Sequence, residues 1–472
     1  MLEQTSGDRV TVRFAGAEAG TESLTWGQRA ILQDMQASGN QFNMPGVCEL
    51  PGGRTVRDLA DALGGLVGRH AALRMRLGYD PAGRTCQHVA GSGELGLDVL
   101  TIPDAAGPAG IEEYLSDLVA TWPLQRFDFH HDWPLRMAVV RHRGACIRLA
   151  WVLSHLVADG GAHLLLLDDI LAAVDAGGAV AGPARRQLPD LARSEREPRT
   201  RQVSASAMRY WQAQLRDIPV QTFGVPGGPS GPPEHRYAQA RFTSPAAHLA
   251  VLAVARRTGT DTSRATLAVI TTAIGRATGL NPLTIKVMVN NRFRPGLADV
   301  IAPIAQNSVI TVDAGGVSVD EVVTRVRSAS LTATMRAYYD PDELTEVSAR
   351  LDAERGHPAA VTCRINDQRK MVLRAEDLPD PGDLAPRQIS QRLAQSTLTW
   401  LGPKDHMHEQ VNLLIENRSD VLSLFLMWDL WSLSQVQVEA ILRGVEEVAV
   451  EAAADPRAPT GIAPGRVLEC RM

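Results

Sequence analysis

One short segment carries side chains that could do chemistry at neutral pH: Ser154-His155-Leu156-Val157-Ala158-Asp159-Gly160, followed by Gly161. Imidazole is the side chain best matched to moving a proton near pH 7, which typically contributes about 10²–10⁴-fold to a rate. Asp159 lies four residues on, and in a tight loop it cannot easily share the direction of the ring. Its carboxylate is better placed to fix the loop by pairing with an arginine elsewhere. Gly160 and Gly161 are expected to permit the backbone angles of a sharp strand-to-helix turn. On residue types alone, a satisfied core histidine in an ordinary loop is the stronger reading of so short a pattern.

Other clusters carry less. His130-His131-Asp132 precedes Trp133-Pro134 and reads as a solvated turn, because zinc needs three or four converging ligands. His406, His408 and Glu409 could hold a metal only with distant help. Asp168-Asp169 falls in an apolar helix with no partner carboxylate at a useful spacing. Residues 227–233 form a Gly/Pro loop rather than a phosphate cradle, and the Walker, HExxH and GxSxG patterns are missing from the sequence. Neither a metal nor a bound cofactor is expected.

The histidine segment needs a scaffold, and the flanking sequence predicts one. Residues 135–141 and 146–153 alternate as strands around Arg143-Gly144, a hairpin turn. The second strand is apolar on both faces, as in a sheet centre. It runs into Ser154-His155, and an apolar helix is predicted from about 163 to 174. Upstream, Thr25-Trp26-Gly27-Gln28 reads as a capping box with Ile31, Leu32 and Met35 at helical spacing. A second helix is predicted from Thr55, with Asp58 at its third position, and residues 69–77 as a strand placing Leu73, Met75 and Leu77 on one side. Asp80-Pro81-Ala82-Gly83 is a turn that returns it as a hairpin.

Residues 175–201 are rich in Gly, Ala, Arg and Pro, and read as a connection between domains. Beyond them helices are predicted near 206–215, 246–257, 263–277, from Ser318 and over 435–452. Strands are predicted near 283–289, 308–312, 361–365, 411–416 and 421–428. The tail after Asp455 reads as a frayed end.

A chain of 472 residues is too long for one ordinary core, so two domains are expected. The net charge of −5 comes with no basic block, which argues against a nucleic-acid partner. Cys48, Cys86, Cys146, Cys363 and Cys470 are scattered and form no CxxC pair, as free thiols in a reducing compartment would be. The N-terminus has no signal-peptide pattern, and the apolar run at 421–428 is too short to span a bilayer. A cytoplasmic protein with no membrane partner is expected.

Several segments together resemble the condensation domains of nonribosomal peptide synthetases, whose signature is His-His-x-x-x-Asp-Gly. Leu24-Thr25-Trp26-Gly27-Gln28-Arg29-Ala30-Ile31 resembles the opening segment of that family, and Arg69-His70-Ala71-Ala72-Leu73-Arg74 its Arg-His-Glu-x-Leu-Arg segment. Phe127-Asp128 and Pro134-Leu135-Arg136 are similar to the stretch before the active-site hairpin. Tyr210-Trp211 resembles the helix after the linker, and Asn291-Arg292 and Asn307 resemble segments of the second lobe. The order is right across residues 24–312.

This resemblance implies an α/β fold of two chloramphenicol-acetyltransferase-like lobes, arranged as a V-shaped pseudo-dimer with a central tunnel. The lobes would be 1–180 and 203–472, joined by a linker at 181–202. His155 aligns with the catalytic second histidine. Asp159 aligns with the structural aspartate, with Arg69, Arg74 and Arg292 as candidate partners. Ser154 and Gly160 would shape the site, while Gly161 and Asn307 are candidates for the oxyanion contact or the tunnel wall.

The implied activity is transfer of an acyl or aminoacyl group to an amine or hydroxyl of a small-molecule acceptor. The donor is the phosphopantetheine arm of a partner acyl or peptidyl carrier protein. No adenylation or carrier domain is expected on either side, so the enzyme would be free-standing. Ser154 stands where the family has its first histidine and Ala71 where it has glutamate; residues 302–306 depart from the Gly-Phe-Phe pattern. These departures keep open a non-catalytic protein that recruits a partner enzyme. A coenzyme A donor is a third reading.

Overall fold

The computed structural model describes residues 8–176, 185–216, 218, 223, 235–369, 372–379, 384–404, 407 and 409–464. The loop at 227–233, His406, His408 and Cys470 lie outside them. The chain forms two compact units. The first is Met1–Val203 with Asn290–Gln306 and Asp340–Asp342; the second is Ser204–Val289, Asn307–Tyr339 and Glu343–Met472.

The first unit begins with β1 (Arg9–Ala15), β2 (Gly20–Ser23), α1 (Trp26–Ser38), β3 (Met44–Glu49) and α2 (Val56–Arg69). Then come β4 (Met75–Tyr79), β5 (Thr85–Val89), β6 (Ser92–Ile102), α3 (Pro108–Thr121), β7 (Leu135–His142), β8 (Ala145–Leu153), α4 (Gly160–Asp175) and α5 (Leu188–Glu195). α6 (Pro198–Arg216) leads into the second unit.

The predicted capping box of Thr25 with Gln28 opens α1, and the helix predicted from Thr55 starts there as α2, with Thr55 and Asp58 also capping each other. A five-stranded sheet in the order β1-β6-β7-β8-β3 carries the histidine segment at the end of β8, and β2-β5-β4 make a smaller sheet. The β7–β8 turn places Arg143 at φ 49° and Gly144 at φ 78°, the double left-handed form that matches the twist of two strands. β8 is buried on both faces. Ala150 and Val152 pack with Leu115, Leu118 and Trp122 of the α3 region, while Trp151 and Leu153 meet Leu166 and Ile170 of α4.

The second unit contains β9 (Tyr237–Ser244), α7 (Pro245–Thr258), α8 (Thr262–Thr278), β10 (Leu283–Val289), β11 (Gln306–Val312), α9 (Val319–Met335) and α10 (Pro341–Arg355). β12 (Cys363–Asp367), the short α11 (Pro386–Ser390), β13 (Thr397–Lys404), β14 (Val411–Ile415), β15 (Leu422–Asp429) and α12 (Gln435–Ala454) complete it. One seven-stranded sheet runs β11-β10-β12-β14-β15-β9-β13. α7, α8, α9 and α12 bury its apolar face through residues such as Phe242, Ile270, Val322 and Leu442. Trp211 of α6 packs edge-on against Tyr339, centroids 5.9 Å apart, in a separate cluster with Leu351 of α10.

Three expectations are corrected. The stretch read as a connection contains α5, whose Leu188 and Leu191 are fully buried and whose Glu195 accepts the Trp26 N–H at 2.7 Å. Two leucines at helical spacing sufficed to dock it despite the polar surroundings. Residues 71–74 form a 3₁₀ turn before β4, so Leu73 precedes the strand. The start of the tail is packed, with Thr460 1% exposed and donating to the Ala314 carbonyl, and Ile462 seated against Gly275.

Candidate active site

β8 ends in a loop that spends nearly every polar group on its own geometry. Ser154 is fully buried; its N–H donates to the Pro134 carbonyl at 2.9 Å, and its Oγ accepts the Leu156 N–H at 3.2 Å. A serine thus does local structural work at this position. Leu156, Val157 and Ala158 are fully buried and anchor the loop by packing.

Asp159 is the N-cap of α4, so the helix starts three residues before the sequence predicted. Its Oδ1 accepts Ala162 N–H at 2.7 Å and Arg292 Nη2 at 2.6 Å, and its Oδ2 accepts the amides of Ile304 and Ala305, both at 2.9 Å. Four donors fill the carboxylate. It has no capacity left to orient or deprotonate anything else.

Of the three candidate arginines, only Arg292 reaches Asp159. Arg74 donates to the carbonyls of Glu18 and Ala90, and Arg69 lies 3.9 Å from Asp169. The segment that carries Arg292 is held by Asn291, fully buried at φ 56°, whose Nδ2 donates to Ile304 O at 2.9 Å. Arg292 also donates to Val300 O at 2.9 Å. This arrangement explains two glycines. A Cβ on Gly161 would lie 2.2 Å from Arg292 Nε, and one on Gly27 would lie 1.6 Å from Pro303 O. The expectation that Gly160 and Gly161 supply unusual backbone angles is corrected: neither has a positive φ, and Gly161 serves by leaving room for a guanidinium.

His155 stands apart from its neighbours. It is half-buried, its Nδ1 is shielded from solvent with no hydrogen-bond partner, and the ring makes no hydrogen bond among the described residues. His163, one helical turn into α4, is by contrast used internally: Trp151 Nε1 donates to its Nε2 at 2.9 Å. The N–H groups of Gly160 and Gly161 open α4, where an α-helix has no acceptor of its own and carries partial positive charge. Asn307 belongs to β11 in the second unit. Its carbonyl accepts Tyr339 Oη–H at 3.0 Å, while its side-chain Oδ1 is buried without a partner.

Sequence reasoning missed one buried cluster. The sequence offers Asp169 no partner carboxylate, and its partners are instead basic side chains from other segments. Its Oδ2 is 2.8 Å from His70 Nε2, and its Oδ1 accepts Arg185 Nη2 at 2.7 Å. Burial raises the carboxyl, but His70 and Arg185 outweigh that and hold it well below the usual carboxylate range. Burial lowers His70, which is 1% exposed, more than Asp169 raises it. The signal was available: a carboxylate inside an apolar helix demands a donor. The other dismissed cluster is a solvated turn, where His131 Nδ1 pairs with Asp128 at 2.8 Å. Among the described residues no three His, Cys, Asp or Glu side chains converge as metal ligands, and no helix is long and apolar enough to cross a membrane.

The family profile of the condensation domain matches residues 18–368. A probable non-canonical nonribosomal peptide synthetase, CymA of Salinispora arenicola, is 28% identical over 347 residues, which is 68% of this chain and 4% of that protein. The chain therefore spans a small part of that relative's length. Among solved structures, one describing condensation domain-mediated chain release from the enacyloxin polyketide synthase aligns at TM-score 0.67 and 21% identity, covering 87% of this chain and 78% of the other. The X-domain from teicoplanin biosynthesis aligns at TM-score 0.66 and 18% identity, covering 96% and 99%. These likenesses are of fold, the chloramphenicol-acetyltransferase-like pseudo-dimer of mixed α/β units. The chain belongs to the condensation-domain family.

Proposed function

We propose that the chain transfers an acyl or aminoacyl group from a carrier protein's phosphopantetheine thioester to an amine or hydroxyl acceptor, with His155 as the catalytic residue. Condensation domains are in general acyltransferases that work on carrier-bound substrates, which supplies the class. The observation that carries the residue assignment is the state of the imidazole. In a loop where Ser154 and Asp159 are fully engaged, His155 Nδ1 is buried and unbonded. Buried polar groups are normally paired, so a ring without an internal partner is one kept for something that arrives.

In this reading the acceptor's nitrogen or oxygen attacks the thioester carbonyl carbon. The new C–N or C–O bond forms as the C–S bond breaks. His155 takes the proton from the nucleophile and returns it to the departing thiolate. The amides of Gly160 and Gly161, at the positive end of α4, suit an oxyanion. Arg292 is a positioning residue, acting through Asp159. Much of the acceleration comes from aligning the two substrates.

The test is His155→Ala, assayed with a carrier-loaded donor and, separately, with free acyl-coenzyme A. A loss of about 10²–10⁴-fold with an unchanged melting temperature supports the assignment. Product formed at the wild-type rate by His155→Ala overturns it and favours a protein that recruits a partner enzyme. Equal turnover of acyl-coenzyme A removes the carrier from the proposal.

A further inference from the structure

The small sheet of the first unit places three polar side chains in one row. β5 pairs with β2 on one side and β4 on the other, with Thr21 opposite His88 and His88 opposite Arg76. Residues directly opposite across a ladder share a face, so the three side chains stand together. Thr21 Oγ1 lies 2.5 Å from His88 Nδ1, and the His88 ring occupies the space where a Cβ on Gly78 would be, 2.2 Å from its atoms. The Arg76 guanidinium carbon sits 3.6 Å from the centroid of the Trp133 ring. That indole is itself fixed, donating from Nε1 to Glu94 O at 2.8 Å with the edge of Phe14 packed on it at 5.2 Å. Thr21, Arg76, His88 and Trp133 line a groove of about 250 Å³, with Gly20 and Ala90 at its wall.

Arg76 differs from the other buried or half-buried arginines of this unit. Arg292 has Asp159, Arg185 has Asp169 and Arg74 has two carbonyls. Arg76 has no carboxylate within ion-pair distance among the described residues, and its Nε is buried without a hydrogen-bond partner. The acid whose field it feels, Asp132, is engaged by Arg136 and by the Asp128 amide. A guanidinium resting on an indole face spends none of its N–H donors on that contact, and its planar fork can meet a carboxylate or phosphate with two parallel hydrogen bonds.

We propose that this groove binds a small molecule by an oxyanion, a phosphate or carboxylate group, held by Arg76 with His88 and Thr21 beside it. The volume exceeds one phosphate and falls just below the roughly 300–1,000 Å³ of ordinary small-molecule sites, so the ligand is a short phosphate monoester or organic acid. The lining shares no residue with the 154–160 loop, so this inference stands independently of the transferase reading.

Calorimetric titration of the full chain tests it, with inorganic phosphate, glycerol phosphate and succinate as probes and chloride as the ionic-strength control. Saturable binding of the phosphates alone, or of succinate alone, supports the site and identifies its ligand class. Arg76→Gln is expected to weaken that binding about ten- to a hundred-fold, the range of a charge-assisted hydrogen bond. His88→Gln should weaken it less. If Arg76→Gln does not fold, Arg76→Lys, which keeps the charge and loses the planar fork, serves in its place. Failure of every probe to saturate by about 10 mM overturns the proposal. So does binding that is indifferent to substitution at both Arg76 and His88.

Discussion

Arg292 Nη2 donates to Asp159 Oδ1 at 2.6 Å across 133 residues of sequence, while Asp159 Oδ2 collects the amides of Ile304 and Ala305. One carboxylate therefore caps α4 and ties the histidine loop to the 291–305 segment. Both side chains are nearly sealed from water, at 12% and 4% exposure. Removing one partner strands the other charge. Arg292→Ala and Asp159→Ala should each lose about 3–5 kcal/mol of folding stability. Urea denaturation checks this, and a double-mutant cycle should show strong coupling. Inactive Asp159 variants with a wild-type denaturation midpoint would contradict a structural role.

The two glycines of the loop should part company. Gly161→Ala forces a Cβ against Arg292, whose side chain is pinned at Asp159 and Val300 and cannot swing away. A cost of about 1–3 kcal/mol is expected, as for overpacking in a core. Gly160→Ala meets nothing within 4 Å and needs no positive φ, so it should be neutral or stabilise by up to about 1 kcal/mol. Thermal melts of the two variants side by side decide the point.

Acid should weaken the first unit through His70 before it does so through any carboxylate. Burial holds the His70 imidazole below its ordinary 6.5. The folded protein then binds fewer protons there than the unfolded chain, so stability falls as pH drops below about 6.5. Asp169, held below its ordinary 3.8, contributes stability that is present above that value and lost only at lower pH. His70→Gln should flatten the stability profile as the pH falls below about 6.5. Identical slopes for His70→Gln and wild type would sink this account.

Ile462, beyond the last helix, packs at 8% exposure, its Cδ1 2.5 Å from where a Cβ on Gly275 would stand. Ile462→Ala should cost about 2 kcal/mol, the low end for a large-to-small change near a surface. A frayed tail would show no change in the denaturation midpoint.

Local order was legible in the residues themselves. Thr25 with Gln28 and Thr55 with Asp58 announced two helix starts, and the β7–β8 hairpin followed from alternation around Arg143-Gly144. Such signals act over a few residues, where backbone hydrogen bonding and periodicity settle the outcome. The order of weak motifs placed the chain in its family, and the segments around Thr25, His155 and Asn291 do meet in the first unit.

Tertiary structure alone decided which charges pair. Arg69, Arg74 and Arg292 were equivalent on paper, and only the fold brought Arg292 to Asp159 and sent Arg69 toward Asp169. His70, Asp169 and Arg185 come from three separate segments, and no spacing rule relates them. Gly161 looked like a choice about backbone angle, yet it is small, as Gly27 is, because another segment passes within van der Waals reach. A sequence records what a residue can do, whereas desolvation and close contact determine what it must do, and both depend on neighbours that arrive from far along the chain.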